Sequence, residues 1–475
     1  LTGAVALTFP SLAPGKSKKS PPNIVFIICD QMRADTVNCF GHRNTRTPNL
    51  DKMAAEGALF ENYFSNSPVC APSRVTLFTG QYPHQHGQRT NKSGKFISHL
   101  ETSMLGYFRK RGYRIGWIGK NHAYTKECLN KMDVWIDRGR EPFRAYSKYV
   151  PPYWHSDTLW PEEKCHPRMT TNDSIKFIQE ADRDQPFFLH ISYFDPHPPY
   201  MAPSEYTSRY NSEDMKIPPY VAPEKLGPRL TEHVKALHFD KIKDSDITET
   251  MRYYYAAVEW GVDEQVGRVL KALKNKGILD NTIVVFTSDH GDFMGEHRMV
   301  RKGMFLYDAL LHVPFIWYAP GLVQKGLRTD TPAQGVDLFP TLADLTGGNI
   351  PENVSGRSLK KVLQGQEKNN DDTVVIASAG YSDLPPDYFD DPEKPFDPDN
   401  KVPFHTRVEK LTWKDEKRTI MARTKEWKLI KSDSRPTELY RMAGGWIEKE
   451  NVAEKPEFQA IRKNLEAKLK KSWKW

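Results

Sequence analysis

The 475-residue chain holds only five cysteines, Cys29, Cys39, Cys70, Cys128 and Cys165, with no C-x-x-C pair among them. That is too few and too scattered for a disulfide scaffold or a thiolate zinc site. The odd count also leaves at least one thiol free or chemically altered. No stretch reaches the roughly 18 apolar residues of a membrane-spanning helix. Blocks of about five like charges are missing too. The 68 basic side chains exceed the 60 acidic ones by only eight. A nucleic-acid partner is therefore not expected, and any functional cations should line a pocket. Glycine (29) and proline (35) show no period, which excludes a collagen-like chain. With 12% aromatics the chain is not a disordered one.

What is present begins with a short apolar run, Leu1–Phe9, followed by the polar linker Pro14–Pro22. Residues 1–22 read as the remainder of an export signal plus linker, consistent with an exported, periplasmic protein. Asn23–Cys29 is then almost continuously apolar, as a parallel strand covered on both faces would be. Tyr113–Ile118, Pro186–Tyr193 and Thr282–Thr287 repeat the pattern. Helical periodicity falls between these runs, over Thr47–Leu59, Pro72–Thr79, Ser103–Arg111, Thr171–Glu180 and Glu249–Asn275. Such alternation predicts an α/β unit over residues 23–365, a large, mostly parallel mixed sheet between helices. Residues 366–475 read as a smaller α+β subdomain. Its parts are a short antiparallel sheet over Thr373–Ala379 and Arg418–Ile430, an acidic, proline-rich loop at Asp383–Pro403, and an amphipathic helix at Pro456–Lys470.

Each central strand ends in polar residues: Asp30-Gln31, Lys120 with His122, Asp195 with His197, and Asp289-His290. In open α/β sheets ligands bind beyond the carboxyl ends of the strands, so four such endings deliver their side chains to one rim. Cys70 lies in Cys70-Ala71-Pro72-Ser73-Arg74. Pro72 suits the first turn of a helix and places Cys70 at its amino end, where the helix dipole and Arg74 favour a negative charge.

Cys70-Ala71-Pro72-Ser73-Arg74 with Thr79-Gly80 resembles the C-x-P-S-R signature of the type I sulfatases. Gly119-Lys120-Asn121-His122, Asp195-Pro196-His197, Ser288-Asp289-His290-Gly291 and Lys302-Gly303 follow in that family's order. The resemblance implies an alkaline-phosphatase/sulfatase-like fold and the conversion of Cys70 to formylglycine (3-oxoalanine) by a maturation enzyme. The hydrated aldehyde would be the nucleophile, and a hemiacetal sulfate the intermediate. By the same resemblance Asp30, Gln31, Asp289 and His290 hold one divalent ion. Calcium is the expected ion on family grounds, although an imidazole in the shell also suits softer metals. Lys120 and Lys302 would bind sulfate oxygens and Arg74 would hold the nucleophile. His197 would protonate the leaving oxygen, and His122 would act as base in the second half-reaction.

The opening Asp30-Gln31-Met32-Arg33-Ala34-Asp35 looks most like bacterial sulfatases that remove 2-O-sulfate from unsaturated uronic acids of heparin or chondroitin fragments. The carboxylate of such a sulfated oligosaccharide needs further cations, for which Lys95 is the first candidate and His405 with Arg407 the second. Three other activities compete: phosphonate monoester or phosphodiester hydrolysis, sulfatase action on 6-O-sulfated hexosamine or choline sulfate, and glycosaminoglycan binding without catalysis. His84, His86 and His190 read as structural, and Glu296-His297 as support for the metal segment.

Overall fold

The computed structural model describes residues 21–41, 44–91, 93–138, 155–158, 160–222, 225–227, 230–231, 233–234, 242–367, 373–380, 418–443 and 445–472. The main sheet has eight strands: β1 (Asn23–Cys29), β2 (Ala58–Phe60), β3 (Arg114–Gly119), β4 (Val134–Ile136), β5 (Phe187–Ser192), β6 (Thr282–Ser288), β7 (Phe315–Tyr318) and β8 (Leu327–Thr329). Their order is β8-β2-β7-β6-β1-β5-β3-β4, and β7 alone runs against its neighbours. β1 is central and all seven of its residues are buried. Successive side chains of a strand point to opposite faces. Val25 and Ile27 accordingly enter one core with Tyr254 and Val266, whereas Ile24, Phe26 and Ile28 enter the other with Phe78 and Leu105. This double burial is why the strand reads as unbroken apolar sequence.

Among the described residues eight helices have seven residues or more: α1 (Pro48–Glu56), α2 (Cys70–Thr79), α3 (Met104–Lys110), α4 (His166–Glu180), α5 (Asp244–Val258), α6 (Glu264–Lys276), α7 (Leu338–Leu345) and α8 (Gln459–Ser472). Every residue of α2 is buried. The helical run expected over Glu249–Asn275 is α5 and α6 joined by a π-helical turn at Glu259–Asp263. The helix expected to reach Leu59 stops at Glu56, and Gly57 follows so close to β7 that a Cβ there would lie 1.9 Å from the Trp317 carbonyl oxygen. The chain then enters β2 instead.

A second sheet contains β9 (Val375–Ala379), β10 (Thr419–Arg423), β11 (Trp427–Ser432) and β12 (Glu438–Arg441), antiparallel in that order. A turn in which the Trp427 amide donates to Thr424 Oγ1 (3.1 Å) divides the single segment expected over Arg418–Ile430. Leu465 and Leu469 of α8 pack on this sheet. Val375, Met421 and Tyr440 join the core of the main unit, so one hydrophobic core spans both sheets. Among the described residues no helix is long and apolar enough to cross a membrane. The segment 1–20, most of the expected export-signal remnant and linker, and the acidic loop at 383–403 lie outside the described residues.

Several buried histidines are kept neutral. Burial lowers the pKa of His86 and His166 to about 3 and that of His297 to about 4. The unfolded chain takes up protons below about pH 6.5 while these native side chains do not, so stability is lost as pH falls, by about 1.4 kcal/mol per pH unit for each histidine. His166 has no hydrogen-bond partner for either ring nitrogen and meets Phe194 edge to face at 4.4 Å. His166→Phe is therefore expected to flatten the slope of unfolding free energy against pH by about 1.4 kcal/mol per unit between about pH 4.5 and 6. Urea titrations at several pH values measure it, and a slope equal to wild type would contradict it.

Candidate active site

β1 and β6 pair in register, with Cys29 opposite Ser288, so the residues that follow them, Asp30 and Asp289, emerge side by side. Gln31 adopts φ 69°, an uncommon conformation for a residue with a side chain. It is stabilised there because its amide donates to Asp289 Oδ1 (3.1 Å) and its carbonyl accepts from the Tyr254 hydroxyl (3.0 Å). On the other side of β1, Gly119 ends β3 at φ 101°, where a Cβ would lie 2.0 Å from the Ser192 carbonyl oxygen. Only glycine allows this close approach, which swings Lys120 onto the same rim.

Cys70 is the first residue of α2 and is fully buried. Its Sγ lies 3.1 Å from Lys302 Nζ, 3.2 Å from His290 Nε2 and 3.5 Å from Asp30 Oδ1. One turn along the helix, Arg74 fixes the strand ends relative to Cys70. Its Nε donates to Asp289 Oδ2 (2.7 Å), Nη2 to Asp30 Oδ2 (3.2 Å) and Nη1 to Ser192 Oγ (2.7 Å). Ser73 Oγ donates to the Asp289 carbonyl oxygen (2.5 Å), and the Ala71 amide donates to Asn91 Oδ1 (2.9 Å). Arg74, Ser73 and Lys120 have almost no exposure to solvent.

Electrostatics follow from this enclosure. Burial raises the pKa of the Cys70 thiol and Asp30 opposes its ionisation, yet Lys120, Lys302 and His290 together pull it well below the ordinary thiol range. Burial also disfavours the Asp30 anion, but Lys120, His197, Lys302 and Arg74 hold it ionised. Asp30 divides its two oxygens: Oδ2 receives Arg74 and the Lys120 ammonium, whereas Oδ1 faces Cys70 and His290.

Ligand atoms of Asp30, Cys70, Asp289 and His290 lie within 4.8 Å of one another. His290 Nδ1 sits 2.8 Å from the Gly291 carbonyl oxygen, which places a proton on Nδ1. Burial opposes a charge on the ring but Asp289 draws it towards its cationic form; in the neutral form that a bound cation selects, the Nε2 lone pair faces the cluster. Nε2 is 3.7 Å from one oxygen each of Asp30 and Asp289. Gln31 Oε1 is buried without a partner. Two carboxylates, an imidazole lone pair and an orphaned amide oxygen make a donor set that fits a divalent cation.

The other anticipated residues fall as follows. His197 is half-buried beside Asp30, with Nδ1 2.8 Å from the Pro198 carbonyl oxygen. His122 is half-buried just beyond Lys120. Lys95 is exposed; its backbone amide donates to Gln88 Oε1 (2.6 Å), and no described contact joins its ammonium to the cluster. His405 and Arg407 lie outside the described residues. His86 is structural, its Nε2 3.0 Å from Thr76 Oγ1. His190 is buried in β5 with Nδ1 3.2 Å from the Phe26 carbonyl oxygen, and its Nε2 has no partner. Glu296 pairs with Arg33 and so braces the segment after Asp30 rather than joining the cluster.

The sequence reading missed how the second sheet grips this site. Lys428 of β11 is fully buried and pairs with Asp308 and Glu448, and its ammonium also donates to the Leu306 carbonyl oxygen (3.1 Å). Arg423 of β10 joins at Asp308 Oδ2 (3.0 Å), and the Asp308 amide donates to Glu448 Oε1 (2.9 Å). The gripped segment begins four residues after Lys302. Beside the other half of the site, Asn66 Nδ2 donates to the Ile376 carbonyl oxygen (2.6 Å), and the Ser378 amide donates to the Asn66 carbonyl oxygen (3.0 Å). The one signal in the sequence was a lysine between apolar residues in the first half of β11, Trp427-Lys428-Leu429-Ile430.

A rim of this kind on a mostly parallel sheet gathers ammonium, guanidinium and carboxylate groups around Cys70, a setting suited to an anionic ester. Residues 22–348 match the sulfatase family, and the chain belongs to it. An arylsulfatase of Clostridium perfringens is 33% identical over 390 residues, covering 74% of this chain and 79% of that one. An ulvan-active sulfatase of Formosa agariphila is 29% identical over 473 residues, covering 96% and 82%. The mouse iduronate 2-sulfatase is 28% identical over 415 residues, covering 74% and 73%. Among solved structures, a protein in complex with its substrate D-glucosamine-2-N,6-O-disulfate superposes with a TM-score of 0.77 at 22% identity, over 95% of this chain and 97% of that one. The protein is a sulfuric ester hydrolase.

Removing one partner of a buried ionic network leaves charges uncompensated, at a cost of about 3–5 kcal/mol. Lys428→Met is expected to lower unfolding free energy by about that amount, and adding Glu448→Gln to restore part of it. Urea denaturation of the single and double variants measures both, and additive losses would show that the two side chains are not coupled.

Proposed function

We propose that the enzyme hydrolyses sulfate esters on anionic oligosaccharides of the glycosaminoglycan type, with the 2-O-sulfate of uronic acid residues as the preferred target. The observation that carries this reading is the position of Cys70 Sγ, within 3.5 Å of Lys302, His290 and Asp30 at the head of a buried helix. The mouse iduronate 2-sulfatase and the ulvan-active sulfatase, both named for action on sulfated sugars, support the substrate class. Breakdown of polymers outside the cell fits the exported, periplasmic location expected above. Residues 23–365 would then form the catalytic unit, and residues 366–475 its brace.

Asp30, Gln31, Asp289 and His290 are proposed to hold a divalent ion, calcium on family grounds, which when bound neutralises sulfonyl oxygens and so admits a nucleophile to an anionic ester. Formylglycine at position 70, made by a maturation enzyme, would supply that nucleophile. The chain's own residues do the rest. Lys302, and Lys120 behind Asp30, place ammonium charge where the sulfate oxygens gain negative charge. Arg74 holds the helix head against both carboxylates. His197 keeps its Nδ1 proton on the Pro198 carbonyl oxygen, so Nε2 is the atom that delivers a proton to the leaving sugar oxygen. His122, half-buried just beyond Lys120, would take a proton in the step that frees sulfate.

General acid catalysis contributes about 10²–10⁴ in rate, and it matters only for basic leaving groups. His197→Ala is therefore expected to slow sugar-sulfate turnover by about two orders of magnitude or more, while a nitrophenyl sulfate loses little. A loss independent of leaving-group pKa would remove His197 from that role.

Turnover of defined 2-O-, 4-O- and 6-O-sulfated disaccharides, alongside an aryl phosphate diester, tests the reading as a whole. The fastest turnover is expected on the 2-O-sulfated uronate, with Cys70→Ala inactive on every ester. Preference for a 6-O-sulfated hexosamine would overturn the positional assignment, and preference for the diester would overturn the substrate class.

A further inference from the structure

The helices α4 and α6 run side by side, and their C-terminal ends lead into β5 and β6. The catalytic rim lies at the opposite ends of those two strands. Between the helix ends is an open groove of about 550 Å³. Its cationic lining is Arg183, Arg268, Lys271 and Lys276, with Ile175 and Ala272 as an apolar floor, and among the described residues no aspartate or glutamate lines it.

The four cations are unusual in how they are held. Arg268 donates to Asn172 Oδ1 (2.6 Å) and Gln265 Oε1 (2.9 Å). Lys276 donates to the Gln179 and Ala181 carbonyl oxygens (2.6 Å each), and Arg183 to the Lys276 carbonyl oxygen (2.9 Å). Each acceptor is neutral, and Lys271 is exposed on the lip. Among the described residues none of the four pairs with a carboxylate. Glu180, beside the groove, pairs instead with Lys176 (3.9 Å), and Asp182 and Asp184 do not line it. Elsewhere on the same helical layer arginines are neutralised directly: Arg168 by Glu264, Arg209 by Glu259, Arg252 by Glu249. Lys276 and Arg183 bond carbonyls at the carboxyl ends of α4 and α6, where each helix dipole offsets about half a charge, so these bonds fix the cations and leave part of their charge, with that of Arg268, for a ligand. Three pre-positioned cations and a fourth at the lip therefore make a concave field that attracts polyanions.

We infer that this groove is a second binding site for a sulfated polysaccharide chain, remote from the catalytic rim. The apolar floor suits the C–H face of a sugar ring and the surrounding cations suit its sulfates and carboxylates. A chain held here is not the segment being cleaved. It keeps the enzyme on its polymer between turnovers, which raises the effective concentration of further sulfate esters at the rim. The inference rests on the polysaccharide reading given above, although the groove's affinity for the chain does not require turnover.

The test compares wild type, the double variant Arg183→Glu with Lys271→Glu, and Lys302→Ala. Binding of size-defined heparin chains is measured at about 0.1 M salt, where surface charges act over about 10 Å. Turnover of a sulfated disaccharide, too short to reach both sites, is measured in parallel. The groove variant is expected to bind heparin about tenfold more weakly while its disaccharide turnover stays within about twofold of wild type. Lys302→Ala is expected to lose turnover and keep heparin affinity. Unchanged heparin affinity in the groove variant would overturn the inference, as would disaccharide turnover that falls together with binding. Tighter binding of a DNA duplex than of heparin through the same two residues would overturn it as well. Should wild type cleave no sulfated saccharide while the groove variant still loses heparin, the functional reading falls and the groove assignment stands.

Discussion

The guanidinium of Arg74, closed off from water, joins the two aspartates that end β1 and β6 to the serine that ends β5. Taking a cation and two carboxylates out of water costs several kcal/mol per ion, which only close, well-directed pairing can offset. Arg74 meets that demand with three directed hydrogen bonds from one planar group, and a lysine could not reproduce this fork. The consequence is geometric. α2 is fixed against three strand ends at once, so the side chain at its first residue has one position relative to Asp30, Asp289 and His290.

The rim is held from a second direction by the antiparallel sheet. Lys428 and Arg423 hold the chain just after Lys302, while β9 bonds to Asn66, four residues before Cys70. The ammonium that faces Cys70 and the helix that carries Cys70 are thus tied to one external frame. Their separation is set by the antiparallel sheet as much as by the main sheet itself.

Most of the central architecture was readable from residue pattern, for physical reasons. β1, β3, β5 and β6 are covered on both faces and so are written as apolar runs, and their polar endings mark the rim. Boundaries failed where a tertiary contact overruled local periodicity. α1 gives way at Gly57, where the chain passes close against the Trp317 carbonyl of β7, and a threonine-stabilised turn splits β10 from β11. β7 escaped notice because four apolar residues could belong to a strand or a buried helix. At the site, residues whose spacing carries meaning, such as Cys70 and Arg74 one turn apart, were legible. The side chains that hold them in place were not, because Ser192, Asn66, Lys428 and Glu448 reach the site from distant parts of the chain. Lys95, selected for charge alone, is an exposed lysine in a loop.

The complete enclosure of α2 governs when the chain can be worked on. Cys70 has no surface in the folded protein, and the groups that enclose it, His290 and Lys302, follow it by 220 and 232 positions. The maturation enzyme proposed above would therefore have to reach this thiol on a nascent or unfolded polypeptide. The opportunity closes once the later strands have been made and docked, so a molecule that folds unaltered stays unaltered until it unfolds. Two populations, one competent and one inert, would then coexist with the same fold, in proportions set by the race between that chemistry and folding.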